Sequence, residues 1–544
     1  MGPIEENAEQ RADQKGPSHR ASARRVYHAA ALALALLGCS ATRRDPDTLT
    51  VLSLSRPEHI DPRHPEDAFG SALSRLVFGA LLDSDPGTFL PRLSLARSLR
   101  WRGDAQAVVE LRADARFHDG RGVRAEDVVE TFRGVLDPRG RSRLRGSYAR
   151  VIRGVREEHG RVVFDLHRPD GSFESLLQLP ILRAEDARSA TELVPGRSSE
   201  IIGSGPLRVA SLRDGEWEFT RVHRGRGFPS RLRVVPLRDP NALAIRMIHG
   251  DGDIAELKPD LLPIFEGRRD FVIQSSPSAG FTYLGLRTDR GPLSNALARR
   301  ALAHAIDRDA LRRARLGRYA VPSTGPIPPS HWAYEGDVPR YPYDPARARA
   351  LLDAAGLPPD ARGVRARVTL RVSSQRFAML VAQAMASMLG AVGVDVDVRP
   401  SELGTLLADL RGGRFDLTLL TVPDLTDPWG LTFWFASSSI PTPENPNAGG
   451  NRWRFRSAAL DEALRQGARS VDPRLRAPHY RLAQRILAQE LPVIPLWHAD
   501  VVCAVRATLR APPPRGDGRL DHLVGARAVG ASATQEPQRD HREQ

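Results

Sequence analysis

Lysine is almost absent from this 544-residue chain. Lys15 and Lys258 are the two present, so the 79 basic residues are nearly all arginine, and net charge is +14. A pI near 10.6 suggests a nucleic-acid partner. The arginines are scattered, however, and form no basic stripe interleaved with aromatics, which such a surface needs. With 45 Gly and 43 Pro, the composition instead has the stamp of GC-rich coding, and no nucleic-acid partner is expected. Cysteine is equally scarce. Cys39 and Cys503 cannot build a disulfide framework, and neither CxxC nor a Cys/His zinc spacing occurs, so no metal site is expected. Long apolar runs are missing too. The uninterrupted run near the start, Ala29 to Leu37, falls far short of the roughly 20 residues of a spanning helix.

Enzyme signatures are also lacking. Neither lysine follows a glycine, as a P-loop requires, and there is no HExxH or GxSxG. Gly203-Ser204-Gly205-Pro206 places Arg208 where a dinucleotide loop needs its third glycine, and Pro206 removes a backbone donor. It reads as a tight turn. Phe117-His118-Asp119-Gly120 sets a His beside a carboxylate, but Asp-Gly is a turn pair and no partners converge on it in the sequence. His498, in an apolar strand-like run from Leu491, reads as a core or pocket-edge histidine. The expectation is a protein that is not an enzyme and carries no cofactor.

What is present begins with an export signal. Arg24 and Arg25 precede the apolar run, which ends in Leu36-Leu37-Gly38-Cys39-Ser40. Basic, then apolar, then small is the order of a secretory signal. A Cys after Leu-Leu-Gly resembles the bacterial lipobox, which implies a lipoprotein signal peptide with lipobox over residues 1–39, with Cys39 acylated as the new N-terminus. Ser40 to Asp47 is then a tether.

With 41% hydrophobic residues, the remainder has ample core material, and a prior of roughly 150 residues per domain suggests about three or four compact units. Leu49 to Leu54 alternates like a half-buried strand, and Gln106 to Leu111 reads as another. Ala125 to Leu136 reads as a helix with Glu126 and Asp127 in its first turn. Asp344-Pro345 and Asp472-Pro473 open helices ending at Gly356 and about Gln489, and Asp307 caps one that ends near Gly317. Strands at Val368 to Val372 and Val394 to Val398 flank a helix over Met379 to Leu389. Beyond about Val524 the composition predicts a disordered tail, residues 524–544. The fold class is mixed α/β.

These segments, in this order, resemble the family 5 extracellular solute-binding proteins of ABC importers, which take up oligopeptides, dipeptides and nickel. The resemblance runs from about Thr48 to Leu523. Leu111-Arg112 through Phe117-His118-Asp119-Gly120 to Ala125-Glu126-Asp127-Val128 is similar to the family's "LR…FHDG…AEDV". Gly203 to Pro206 is similar to "GTGP", and Gly250 to Ile254 to "GEIDI". Arg299 to Leu302 with Ala305 to Arg308 is similar to "RQAL…AIDR". Tyr343-Asp344-Pro345 through Gly356 is similar to "YDP…ALL…AG", and Phe415-Asp416-Leu417 with Asp427-Pro428 to "FDL…DP". The resemblance implies a two-lobed periplasmic-binding-protein fold (type 2, with the extra subdomain of oligopeptide binders) enclosing a ligand. Lobe 1 would cover 48–277, with the extra subdomain near 86–195, and regain the chain at 490–523; lobe 2 would cover 278–489.

The resemblance also implies a site. In Asp424-Leu425-Thr426-Asp427-Pro428, Asp424 takes the position that pairs with a peptide's α-ammonium, and Asp427 takes the structural one. Thr421 stands where Trp is usual. Arg287 follows Tyr283-Leu284-Gly285-Leu286 where Asn is usual, and is a source of charge for a peptide carboxylate. With Trp429 and Tyr283, these make up the expected ligand contacts. Arg124 replaces a capping Thr, a change that costs typically ~1 kcal/mol. The implied function is a monomeric, lipid-anchored, cell-envelope protein of the periplasm that captures peptides for ABC permease subunits. A non-peptide solute such as a metal chelate or saccharide, a sensing role, and an exported hydrolase stay open as alternatives.

Overall fold

The computed structural model describes residues 45, 47–65, 67–189, 201–223, 228–422 and 425–529. The export signal and Cys39 therefore lie outside the described residues, as does the chain from 530 onward. Eight strands position the site: β1 (Thr48–Ser53), β2 (Ile254–Glu256), β3 (Phe271–Pro277), β4 (Phe281–Leu286), β5 (Ala366–Ser373), β6 (Val394–Ser401), β7 (Leu417–Val422) and β8 (Val493–Arg506). Among the described residues the largest sheet has twelve strands, and its path runs β6-β5-β7-β4-β8-β2-β1 and on into the three strands of 207–236.

β8 belongs to both halves of that sheet. Its first residues pair antiparallel with β4, from Gly285↔Val493 to Thr282↔Trp497. Its later residues pair with β3, from Pro277↔Asp500 to Phe271↔Arg506, and with β2 through Ile254↔Val505. A strand covered on both faces reads as a continuous apolar run and not as an alternation. That accounts for Val493 to Trp497 and Val501 to Val505, nearly all buried. β5 and β6 pair in parallel across the helix Arg376–Gly390, whose Val381, Ala382, Met385 and Leu389 pack into one core with Leu370, Val394 and Ile494. On the other half, Leu49, Val51, Trp217, Phe219 and Val505 form a second core. A separate four-stranded antiparallel sheet (96–166) is covered by the helix Ala125–Leu136 around Phe132, Phe164 and Phe173.

The helix starts follow their caps. The carboxylates of Asp307, Asp344 and Asp472 accept the backbone N–H of Ala310, Arg347 and Arg474, each at 2.8 Å. These satisfy donors a helix leaves open at its first turn. Arg124 supplies no side-chain cap, yet the turn is secured from the other direction. Buried Asp127 reaches back to accept Arg124 N–H at 2.8 Å and also holds Ala184 N–H at 2.8 Å.

The two loop motifs lock together. Gly120 N–H closes a turn on Phe117 O, with Gly120 at φ +89°. His118 Nδ1 accepts Gly203 N–H at 3.1 Å, which leaves Nε2–H to donate to Gly205 O at 3.0 Å. Gly203 lies so close to the helix Ala68–Val77 that a Cβ would meet Val77 O at 1.9 Å. Both motifs are packing joints. The C-terminal expectation needs correcting at its start. Arg527–Ala528 pairs antiparallel with Leu509–Arg510, so the chain is in regular structure past Val524.

Candidate ligand-binding site

β4 and β7 run antiparallel, and Thr282 stands opposite Thr421. Their hydroxyl oxygens are 2.9 Å apart. Thr421 is exposed, and it opens on a cavity of about 800 Å3. The end of β1 (Ser53) and its continuation to Ser55, Ser278 and Gly280 at the entry to β4, and Val501 of β8 share that wall. The site therefore lies where the two halves of the large sheet exchange strands. Backbone crossings there are tightly tied. Ser278 Oγ donates to Ala499 O at 2.6 Å, and Ala279 N–H donates to Gly516 O at 2.9 Å. Gly516 is required, because a Cβ would meet Pro277 O at 2.0 Å. Leu425 N–H returns to Ala279 O at 3.2 Å.

His498 pins the same crossing. Its Nδ1 faces Gly280 O at 2.8 Å, and its Nε2 faces Ser323 Oγ at 3.0 Å and Gly325 O at 3.1 Å. Burial pushes its pKa down to about 4, against the pull of those carbonyls.

The cations in the cavity wall have partners. Arg515, 7% exposed, bonds Asp517 at 2.6 Å and Asp521 at 2.9 Å, and also donates to Ser84 O at 2.8 Å. Arg519 contacts Asp83 and lies 3.3 Å from Asp517. Burial works to raise the Asp517 carboxyl, but Arg515 and Ser84 hold it below the ordinary carboxylate value. Lys258 pairs with Glu256 at 3.0 Å in solvent. His522 is buried with Nδ1 lacking a partner among the described residues, and burial pushes its pKa down to about 4. A wall in which Arg515, Arg519 and Lys258 are offset by adjacent acids suits a ligand with little net charge.

Residues 91–442 match the family model for bacterial extracellular solute-binding proteins, family 5 Middle. This chain belongs to that family. The family 5 protein is 27% identical over 505 residues to Di/tripeptide-binding protein 2 of Pseudomonas aeruginosa (strain UCBPP-PA14), covering 86% of this chain and 92% of the relative. It is 26% identical to the glutathione-binding protein GsiB of Escherichia coli O1:K1 / APEC, covering 82% and 88%. The substrate-binding protein CtaP of Listeria monocytogenes superimposes with a TM-score of 0.78 at 20% identity, covering 88% of this chain and 99% of that one. NikZ of Campylobacter jejuni, solved with Ni(L-His), gives 0.75 at 22% identity over 89% and 100%. The fold of this family 5 protein is therefore the two-lobed α/β fold of periplasmic binding proteins.

The expected ligand contacts scatter in this solute-binding protein. Thr421 lines the cavity. Asp424 and Pro423 lie outside the described residues. Tyr283 is a correction. It is 1% exposed, stacks on Phe281 at 5.0 Å and meets Trp453 edge-on at 5.2 Å, so it belongs to a core. Successive strand residues face opposite sides, so Thr282 on the cavity side sends Tyr283 away from it. Arg287 is a second correction. It sits five residues along from Thr282, roughly 17 Å at the strand rise. There it bonds Asp289 at 2.5 and 3.1 Å and donates to Gly413 O. Trp429 is not in the cavity wall, and its ring lies under the Arg150 guanidinium at 4.1 Å. Asp427 has the structural position. It accepts from Trp429 N–H at 2.7 Å, Ser175 Oγ at 2.8 Å and buried Arg476 at 2.9 Å. The Arg515–Asp517–Arg519 network in the wall was missed. Its alternating charges within Arg515-Gly516-Asp517-Gly518-Arg519 are the one signal the sequence offers.

Proposed function

We propose that this protein captures short peptides outside the cytoplasm and delivers them to an ABC permease, working as a monomer anchored through an acylated Cys39. The observation that carries the reading is the cavity of about 800 Å3 at the β4–β7–β8 crossing, whose wall cations Arg515, Arg519 and Lys258 are already paired with carboxylates. A free peptide is a zwitterion and asks for one carboxylate and one balancing donor, not for a strongly charged pocket. Names of relatives point the same way: Di/tripeptide-binding protein 2, and a Helicobacter pylori DppA solved with the peptide STSA at a TM-score of 0.70. We assign one lobe to 48–277 with 490–523 and the other to 278–489, so that β4 and β8 cross between them. Hinge closure is then the working step, with no bond made or broken.

Asp424 is the residue assigned to the α-ammonium, through a charge-assisted hydrogen bond. Calorimetry with free and N-acetylated tripeptides tests it. Asp424→Asn should weaken binding of free peptides by about 2–5 kcal/mol while the melting temperature holds, and acetylated peptides should bind the parent poorly. Equal binding of free and acetylated peptides would remove Asp424 from this role. A parent protein that binds no di- or tripeptide would overturn the peptide reading.

A further inference from the structure

A second cavity, of about 480 Å3, opens at the far end of β4 and β7, away from Thr421. Four arginines line it: Arg290, Arg371, Arg399 and Arg414, with Asp409 and Asp416 as the carboxylates in the same wall. The carboxylates are already engaged. Asp409 sits between Arg371 and Arg414, at 2.8 Å from the latter. Asp416 Oδ2 accepts Thr369 N–H at 2.9 Å. Arg399 pairs at 2.6 Å with Asp397, both more than half exposed, where such a pair contributes little. Arg290 has no carboxylate partner among the described ion pairs, and its Nη2 donates to Gly413 O at 3.2 Å. Arg371 Nε is buried with no hydrogen-bond partner among the described residues. Arg287 shares the acceptor Gly413 O with Arg290, and pairs with Asp289 at 2.5 Å, which Arg454 also approaches at 4.0 Å.

Four guanidinium groups therefore face two carboxylates in one concave wall, and one fork donor is unused. Guanidinium forks match the planar edges of phosphate oxygens, and two or more of them around one pocket bind phosphate by bidentate pairs. Self-repulsion among Arg290, Arg399 and Arg414 would be relieved by an anion between them. We propose that this cavity is a binding site for a phosphate-type oxyanion, separate from the solute cavity and independent of what the solute is. The group could be carried by free phosphate or by an anionic phospholipid headgroup; the chemistry the arginines read is the same.

The full chain decides it. Inorganic phosphate is titrated at low ionic strength, and flotation is measured with phosphatidylcholine vesicles with and without phosphatidylglycerol. The variant is Arg290→Gln/Arg414→Gln, both side chains being largely exposed, with unchanged melting temperature expected. Phosphate binding that weakens about tenfold or more in the variant supports the site with soluble phosphate as ligand. Binding only to phosphatidylglycerol vesicles, lost in the variant, supports it with the headgroup as ligand. No binding of either, or binding undiminished in the variant, overturns the proposal. Asp409→Asn removes the competing carboxylate and is expected to tighten phosphate binding; a folded variant that binds no more tightly also overturns it.

Discussion

In the 800 Å3 cavity, Arg515 is 7% exposed and Asp517 3% exposed, and the two close on each other at 2.6 Å. In the 480 Å3 cavity, Arg414 is 65% exposed and Arg290 has no carboxylate partner among the described ion pairs. The same residue type is spent on structure in one place and left over in the other. Burial makes the difference. An unpaired charge inside is expensive, so Arg515 and Arg519 of the solute cavity arrive with their acids. At the rim of the other half, water removes that demand, and a surplus of positive charge persists. The lesson is that net charge of a chain says little about a site until each cation is matched with its acid. The net charge of +14 does not by itself distinguish the acid-paired Arg515 and Arg519 of one cavity from the surplus arginines of the other.

The largest effect that sharpens this contrast is in pH. His522 lines the solute cavity, His498 bonds Gly280 in its wall, and His331 donates to Thr426 O at 3.1 Å. All three are held down to about 4 by burial, from an ordinary 6.5, with Glu256 near His522 and Asp427 near His331 pulling the other way. Since the folded pKa lies below the unfolded one, the unfolded chain takes up protons first as pH falls. Stability is whole above about 6.5 and declines toward 4, by about 2 kcal/mol per histidine at pH 5. Urea unfolding at pH 7 and pH 5 measures it; equal stability at the two values would show that the histidines are not held neutral. No histidine lines the basic cavity among the described residues. Sulfate binding there should stay flat over the same range.

Much of the fold was legible because its signals are local. Asp307, Asp344 and Asp472 announce their helices by a cap and, in two cases, a Pro at the first helical position, and the helices begin where those residues say. Pro478 did not interrupt the last of them, Pro473–Glu490. β8 showed as an apolar run because both its faces are covered. The site was less legible. A sequence resemblance places Tyr283 and Arg287 near Thr282 along the chain, but strand alternation and strand length carry one into a core and the other to the opposite end. The pairing of Arg527–Ala528 with Leu509–Arg510 is only two residues long on each strand, too short to leave a pattern in the sequence, so composition alone made it look like tail.

Next in size is Asp517→Asn. It leaves Arg515 and part of the bonding of Arg519 without a buried partner, and should cost about 3–5 kcal/mol in urea unfolding. Asp409→Asn, the matching change in the basic cavity, should cost less, because of its two partners only Arg371 is buried, at 16% side-chain exposure, while Arg414 is 65% exposed and is re-solvated by water. If the two variants lose equal stability, the distinction drawn between a balanced and a surplus cavity fails.

The smallest effect concerns Thr421, the one expected ligand contact among the described residues that lies in the cavity wall. Its hydroxyl is 2.9 Å from that of Thr282 across the strand pair. A hydroxyl used to hold β4 to β7 contributes about 0.5–1.5 kcal/mol to stability and offers its remaining lone pair to a ligand only weakly. Thr421→Val keeps shape and β-branching, so it deletes the hydroxyl and little else. The expected outcome is a melting temperature lowered by about 1 °C, consistent with about 1 kcal/mol in a chain of this size, with peptide affinity close to the parent. Calorimetry and thermal unfolding on the same preparation separate the alternatives. An affinity loss of about tenfold with unchanged stability would mean that the hydroxyl faces the peptide in the closed form. Thr421 would then be a contact of the ligand and not a clasp between strands.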